Sequence, residues 1–397
     1  MRISSKSFEL QWLTDIYRRQ SELARVQKQV TSGRRIATAG DDPAGAAQVV
    51  TLQAGLSRLT NYAANTETAR RRLVLEENAL GQFGSALDRI RELAVQAGGA
   101  NQTPEGRAAL ASEVRELLDN MLDIANTQDG EGRYLFSGNR VLAQAVSRIN
   151  GTVVYNGDDG VRTQQISDNR TITENDPGSA LFFGIRSGNG TFAVAASPGN
   201  QGTAYFSAAQ VSDPAAWLAD TYTVTFTAAD SYAVTDGSGA TVASGNWLPG
   251  ESIAFNGASI TFAGTPAAGD GFTVASAANQ SVFDIAAELA SALEADMSTP
   301  ADRAQFQNAL NRALLDLDGA QAHVNEARSR VGVRLAVIDS QIESNSELEL
   351  ELQKTLSTLR DVDMAKAVSE LQTQLLGLEA AQKVFARTRS MSLFDVL

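Results

Sequence analysis

The 397-residue chain has no cysteine and a single histidine. Disulfides and thiolate metal sites are therefore excluded, and one His cannot build the His-rich clusters or the His-Glu-x-x-His motif of zinc enzymes. Basic residues are scarce, with 33 Lys and Arg against 46 Asp and Glu and a formal charge of −13. That balance speaks against nucleic acid, whose binding needs a basic surface to displace counterions, and against anionic membrane surfaces. Five residues are lysine and none follows a glycine, so there is no Gly-Lys-Ser/Thr phosphate loop, and no Gly-x-Ser-x-Gly elbow occurs. No apolar run approaches the roughly 18–20 residues of a membrane span. No apolar stretch precedes Glu9 and Asp15, so a cleaved secretion signal is not expected.

What is present has a three-part order. Residues 2–127 read as helix, residues 129–279 are rich in Gly, Thr and Ser with strand alternation, and residues 281–397 read as helix again. A chain of this length exceeds one compact core, so more than one domain is expected. The fold class is α+β multidomain: a long antiparallel helical bundle or coiled coil from both termini with an inserted antiparallel β module. The expected domains are a terminal axial part (1–40 with 352–397), a helical rod with a β-hairpin region (41–186 with 281–351) and an outer β module (187–280).

Leu13, Ile16, Leu23 and Val30 trace a narrow apolar seam on the first helix, suited to one partner helix rather than a broad core. Gly33 can end that helix, and Asp42-Pro43 can start the next, with Asp42 capping free amides and Pro43 in the first turn. The second helix is expected to reach about Ala97, with Gly81 and Gly84 weakening its centre. Thr103-Pro104 and Thr299-Pro300-Ala301-Asp302 repeat the start signal. Near the other end Leu356 and Leu359, then Val368, Leu371, Leu375, Leu378 and Phe385, continue a seam. Read as one helix, 352–391 would be about 60 Å long and would need a partner of matching length.

The middle segment changes composition. Residues 187–280 hold no Lys or Arg but 11 of the 25 aromatics. Tyr222, Val224 and Phe226 alternate with threonines as in a half-buried strand, Asn256-Gly257 is a two-residue hairpin signal, and Asp236-Gly237-Ser238-Gly239 is a second turn. A small sandwich or barrel is the expectation, with its aromatics filling a core rather than lining a sugar groove.

No set of residues assembles a nucleophile, a base and an orienting group, so no catalytic, cofactor or metal site is expected and the chain is not read as an enzyme. His323 reads as structural or solvated. The acidic turns at Asp129-Gly130-Glu131 and Asp158-Asp159-Gly160 lack the alternating ligands of a calcium loop and read as ordinary turns. Glu76-Glu77 reads as part of a solvated helix face.

Thr31-Ser32-Gly33-Arg34-Arg35-Ile36, followed by Asp41-Asp42-Pro43-Ala44-Gly45, resembles the N-terminal signature of the bacterial flagellin superfamily, and Arg91-Glu92-Leu93-Ala94-Val95-Gln96 is similar to a flagellin segment. The passage from Ala125 through Asp129-Gly130-Glu131-Gly132-Arg133 to Gly138 resembles the hook-associated branch, as do the Met1-Arg2-Ile3-Ser4 opening and the Ser392-Leu393-Phe394 ending. The resemblance implies a structural part of the flagellum at the hook–filament junction, exported unfolded through the flagellar type III channel and shielded beforehand by an export chaperone. Its implied partners are like copies in a ring, other hook-associated proteins and flagellin. The terminal seams, extended by Leu393 and Phe394, would form the assembly interface. A flagellin filament subunit, or an adhesin or carbohydrate-binding module on a helical stalk, are the other readings that stay open.

Overall fold

The computed structural model describes residues 5–99 and 102–394. It resolves into two compact units, one from the chain's two ends (Met1–Ala64 with Ser340–Leu397) and one from Asn65–Asp339. The divisions fall inside long helices rather than at linkers.

The N-terminal part comprises α1 (Ser5–Ser32), α2 (Pro43–Ala97) and α3 (Pro104–Ala125). Two small hairpins follow, β1 (Val146–Ile149) with β2 (Thr152–Tyr155) and β3 (Thr163–Ser167) with β4 (Arg170–Thr173), then a single helical turn, α4 (Gly178–Phe182). The β module opens after β5 (Ile185–Arg186). It contains β6 (Phe192–Ala196), β7 (Tyr205–Val211), β8 (Thr221–Ala228), β9 (Ser231–Thr235), β10 (Thr241–Asn246), β11 (Ser252–Phe255), β12 (Ala258–Ala263) and β13 (Gly271–Ser276). It closes with β14 (Asn279–Gln280), which pairs with β5. The chain then returns through α5 (Val282–Glu294), α6 (Pro300–Arg360) and α7 (Met364–Phe394).

The start signals operate as their chemistry requires. Thr103 Oγ1 accepts the Gly106 N–H at 3.1 Å. Thr299 and Asp302 form a reciprocal box, the Asp302 N–H donating to Thr299 Oγ1 (3.1 Å) and the Thr299 N–H to Asp302 Oδ2 (2.9 Å). Helix α2 runs unbroken through Gly81 and Gly84, because packing on a shared core outweighs the local propensity cost.

In the Asn65–Asp339 unit, α2, α3, α5, α6 and the small hairpins enclose one core. Leu181 and Phe182 of α4 plug it, with the Phe182 ring 4.8 Å from Phe83 and 5.8 Å from Phe283. Helices α2 and α6 run antiparallel here. Ion pairs link Arg70 to Asp339, Glu77 to Arg328 and Arg91 to Asp318 in turn.

The β module is a sandwich of a five-stranded sheet, ordered β10-β9-β8-β13-β6, and a three-stranded sheet, β11-β12-β7, with every pairing antiparallel. Tyr222, Val224 and Phe226 point inward from β8 to meet Trp247, Phe262 and Phe272. These aromatics fill the core, which removes most of the material for a sugar-binding groove. The Asn256-Gly257 turn has φ of +41° and +81°, the pair of left-handed residues a two-residue hairpin demands. A Cβ on Gly257 would lie 2.2 Å from the Asp213 carbonyl oxygen, so glycine is needed there for space as well.

The module is fastened to α6 by polar side chains that serve its backbone. Asn308 accepts the Phe206 N–H (3.0 Å) and donates to the Ala204 carbonyl (3.2 Å), Asn311 donates to the Phe206 carbonyl (2.7 Å), and Asp316 accepts the Gly188 N–H (2.6 Å). Leu315 packs on the module's own core.

The acidic turns are ordinary turns. Asp158 Oδ1 accepts the Asn139 and Gly160 amides, and Asp129 Oδ1 accepts those of Glu131 and Arg133. His323 Nε2 lies 2.8 Å from the Ala180 carbonyl, a structural contact. The solvated reading of Glu76 is wrong. Glu77 is half-buried and bound to Arg328, whereas Glu76 is buried, accepting the Asp176 N–H at 3.2 Å. Asp176 in turn holds a two-point ion pair with Arg334 (2.8 and 2.9 Å). Burial pushes the Glu76 carboxyl well above its ordinary value, the Asp176 charge adds to this, and Arg334 opposes it. The sequence could not show this, since the partner carboxylate comes from a loop 100 residues away.

Two outcomes follow for this unit. Asn308→Ala strands the buried Phe206 N–H and is expected to cost about 1–3 kcal/mol. It would be read as faster amide exchange at Phe206 and a lower melting temperature. Glu76 binds its proton more tightly folded than unfolded, so its stabilising contribution is complete below the ordinary value of 4.5 and is lost as pH rises through the raised folded value. Melts of Glu76→Gln should lack that decline and exceed the native protein at alkaline pH.

Candidate assembly site

The terminal unit is organised by two chain breaks tied together. Helix α1 ends at Ser32, and Gly33 follows at φ +67°. The Val362 N–H donates to the Gly33 carbonyl (3.0 Å), the Arg35 and Ile36 amides donate to the Arg360 carbonyl (2.7 and 3.3 Å), and Arg34 and Asp361 form an antiparallel bridge. The Arg35 guanidinium reaches the Leu359 carbonyl at 2.6 Å. These bonds satisfy carbonyls that the end of α6 would otherwise leave bare.

Each side of this clasp is braced by an aspartate. Asp41 Oδ2 accepts the Thr38 N–H (2.7 Å), the Ala37 N–H (3.1 Å) and the Thr38 hydroxyl (2.9 Å). The Thr38 amide, then its hydroxyl, hold the Asp41 carboxyl below its ordinary value. Asp42 Oδ1 caps α2 through the Gly45 N–H (2.9 Å). Across the clasp Asp363 Oδ1 accepts the Lys366 N–H (3.1 Å) and starts α7. The single helix expected over 352–391 is thus two helices, separated at 361–363. The cap signal was present in Asp363, and only the continuing leucine spacing hid it.

From the clasp α1 and α7 run back antiparallel and packed. A Cβ on Gly377 would be 3.0 Å from the Arg19 guanidinium, so this glycine gives Arg19 its room. Leu13, Ile16, Leu23 and Val30 on α1 are half-buried, as are Leu371, Leu378 and Phe385 on α7 and Leu359 on α6, while Leu356 is buried. Val368 and Leu375 stay exposed. Leu393 and Phe394 fall in the last turn of α7, and their side chains lie outside the described residues, as do the Met1-Arg2-Ile3-Ser4 segment and residues 395–397.

The pairing therefore uses part of the expected seam and leaves other apolar side chains uncovered. Eleven of the twenty exposed large apolar side chains among the described residues sit in this unit, including Leu10, Tyr17, Val50, Met364, Leu376 and Val384. None of those six was singled out by the seam pattern, because they lie off its narrow stripe. Between α2 and α6 a cavity of about 680 Å³ opens to solvent, lined by Ala47, Thr51, Leu52, Thr355, Thr358 and Leu359 with Glu351 and Lys354 at its edge.

Clasped terminal helices of this kind place the chain among flagellin-type proteins. Residues 3–141 match the bacterial flagellin N-terminal helical region and residues 314–397 match the C-terminal helical region. The chain belongs to the flagellar hook-associated protein 3 family. It is 34% identical to FlgL from Xanthomonas campestris, with a TM-score of 0.74 over 77% of this chain and 99% of that one. Against the flagellar junction protein FlgL from Legionella pneumophila, identity is 31% and the TM-score 0.73, over 79% of this chain and 100% of that one. Flagellar hook-associated protein 3 of Salmonella typhimurium is 31% identical over 187 residues, 47% of this chain. The chain spans 58% of that curated relative's length.

The clasp should be acid-sensitive. Asp41 has a depressed folded value, so its contribution is present above the ordinary 3.8 and is lost as pH falls through the folded value. Exchange protection at Ala37 and Thr38 is expected to fall with pH in that range in the native chain and to be absent throughout in Asp41→Ala.

Proposed function

We propose that this chain is a structural component of the bacterial flagellum that joins hook to filament, its terminal helices packing against like copies and neighbouring axial proteins. The observation that carries this is the concentration of uncovered apolar side chains around a helix pair already clasped within the chain. A surface of that composition is ordinarily covered in a working protein. Names of the relatives support the place in the flagellum. The partners on this reading are a ring of like copies, other hook-associated proteins and flagellin. Export proceeds unfolded through the type III channel, with a chaperone covering the C-terminal helix, to an extracellular position on the flagellum. The terminal axial part, the rod and the outer β module take the roles given by their order in the chain, and the assembly face comprises the seam residues with Leu393 and Phe394. No cofactor enters.

Because Leu371 and Leu378 are half-buried, a charge there also disturbs the α1–α7 pairing. Leu375 and Leu376, 50% and 69% exposed, give the cleaner test. A strain lacking the gene should carry intact hooks and shed flagellin into the medium. Returning the native gene should restore swimming, whereas Leu375→Asp with Leu376→Asp should not, since an unpaired charge loses its water on packing at a cost of several kcal/mol. Normal motility in the deletion strain would refute the proposal, and long filaments grown from the purified chain alone would make it a filament subunit instead.

A further inference from the structure

Two surfaces of the terminal unit remain unpartnered and are chemically opposite. On α6, Glu343, Glu347 and Glu351 follow one another at spacing four, all exposed, and continue onto the face that lines the α2–α6 cavity. Like charges at that spacing weaken a helix. None of the three has an ionic partner among the described residues, and Leu350 stands exposed beside them. On α1, away from α7, Leu10 and Tyr17 are exposed at spacing seven, with Arg25 and Lys28 exposed further along the same side. Neither forms an ion pair among the described residues, though beside the Thr38 hydrogen bonds the Lys28 charge also helps to lower the Asp41 carboxyl.

The lengths agree as well. Tyr17 and Arg25 are eight residues apart, as are Glu347 and Thr355, about 12 Å of helix in each case. Seating an antiparallel Tyr17 over the cavity level with Thr355 therefore brings Arg25 level with Glu347 and Lys28 beside Glu343, with Leu10 passing the end of α6. Helix α7 also exposes apolar groups, but its exposed Lys383 is already paired with its own Glu379 and its exposed Lys366 stands four residues before an exposed carboxylate, Glu370, which would face the glutamates with like charge. The charge match selects α1.

We infer that the α2–α6 cavity and the glutamate stripe above it receive α1 of a second copy of this chain, Tyr17 entering the cavity while Arg25 meets Glu347 and Lys28 meets Glu343. The contact rests on the reading that like copies pack together, and it names the register in which they do so. Buried apolar anchors supply most of the affinity in such a contact, and the charges fix its register.

The test exchanges the charges in cells. Arg25→Glu with Lys28→Glu should abolish swimming, as should Glu343→Lys with Glu347→Lys, and the four substitutions in one chain should restore it. Because the chain has no cysteine, Arg25→Cys in one tagged copy and Glu347→Cys in a differently tagged copy give a background-free second measurement. Mild oxidation should yield a dimer carrying both tags, and neither variant alone should yield one. If the reversals leave swimming intact, if the four together fail to restore it, or if no mixed dimer forms, the contact is wrong. Should the deletion strain be non-motile while the reversals do nothing, the junction reading stands without this contact. A deletion strain that swims normally removes both.

Discussion

The bonds between the loop after α1 and the break before α7 are the constraint on which the terminal unit depends. An isolated helix of α1's composition, with a narrow apolar stripe and a charged remainder, has little reason to hold a direction. Four backbone and side-chain bonds to the stretch 359–362 give it one, so α1 and α7 leave the clasp together and cover part of each other. The Asp-Asp-Pro-Ala-Gly segment then has a plain physical role. Asp41 folds the loop back on itself, Asp42 begins α2, and a Cβ on Gly45 would meet Asp42 Oδ2 at 2.5 Å and Ile36 at 2.6 Å. The motif is thus a turn held by the hydrogen bonds of two aspartates.

Legibility in the sequence followed the range of the interactions. Helix starts at Pro43, Pro104 and Pro300, the hairpin at Asn256-Gly257 and the inward alternation of β8 are set by neighbours within a few residues, and each was readable. Interactions across long separations were not. Glu76 is buried because a loop 100 residues later brings Asp176 to it, and Arg35 matters because of a carbonyl 324 residues away. The assembly face shows both cases. Its stripe of leucines was visible as a period, but which of them α1 would cover and which would stay open depended on the clasp.

The β module illustrates a limit of composition as a guide to independence. Its lack of cations and wealth of aromatics mark it off sharply, and its core is its own. Yet Asn308, Asn311 and Asp316 satisfy its backbone from α6, and it belongs to the same compact unit as the helices that flank it. A buried amide that serves another segment's backbone looks, in sequence, like any helix asparagine.

Charge separates the two units as clearly as packing does. The terminal unit carries 15 basic against 14 acidic residues, leaving −14 on Asn65–Asp339 against −13 for the whole. Net charge of one sign resists the packing of like copies and favours solution. The near-neutral unit, which also carries most of the exposed apolar side chains, meets no such barrier. Within it the first 64 residues hold nine basic and five acidic groups, while the last 58 hold six and nine. Opposite signs on the two ends favour contact between the start of one chain and the end of another over contact between identical segments. On the proposed reading this matters for register: apolar area alone would let copies associate in any register, and opposite charges favour those that bring the two ends together.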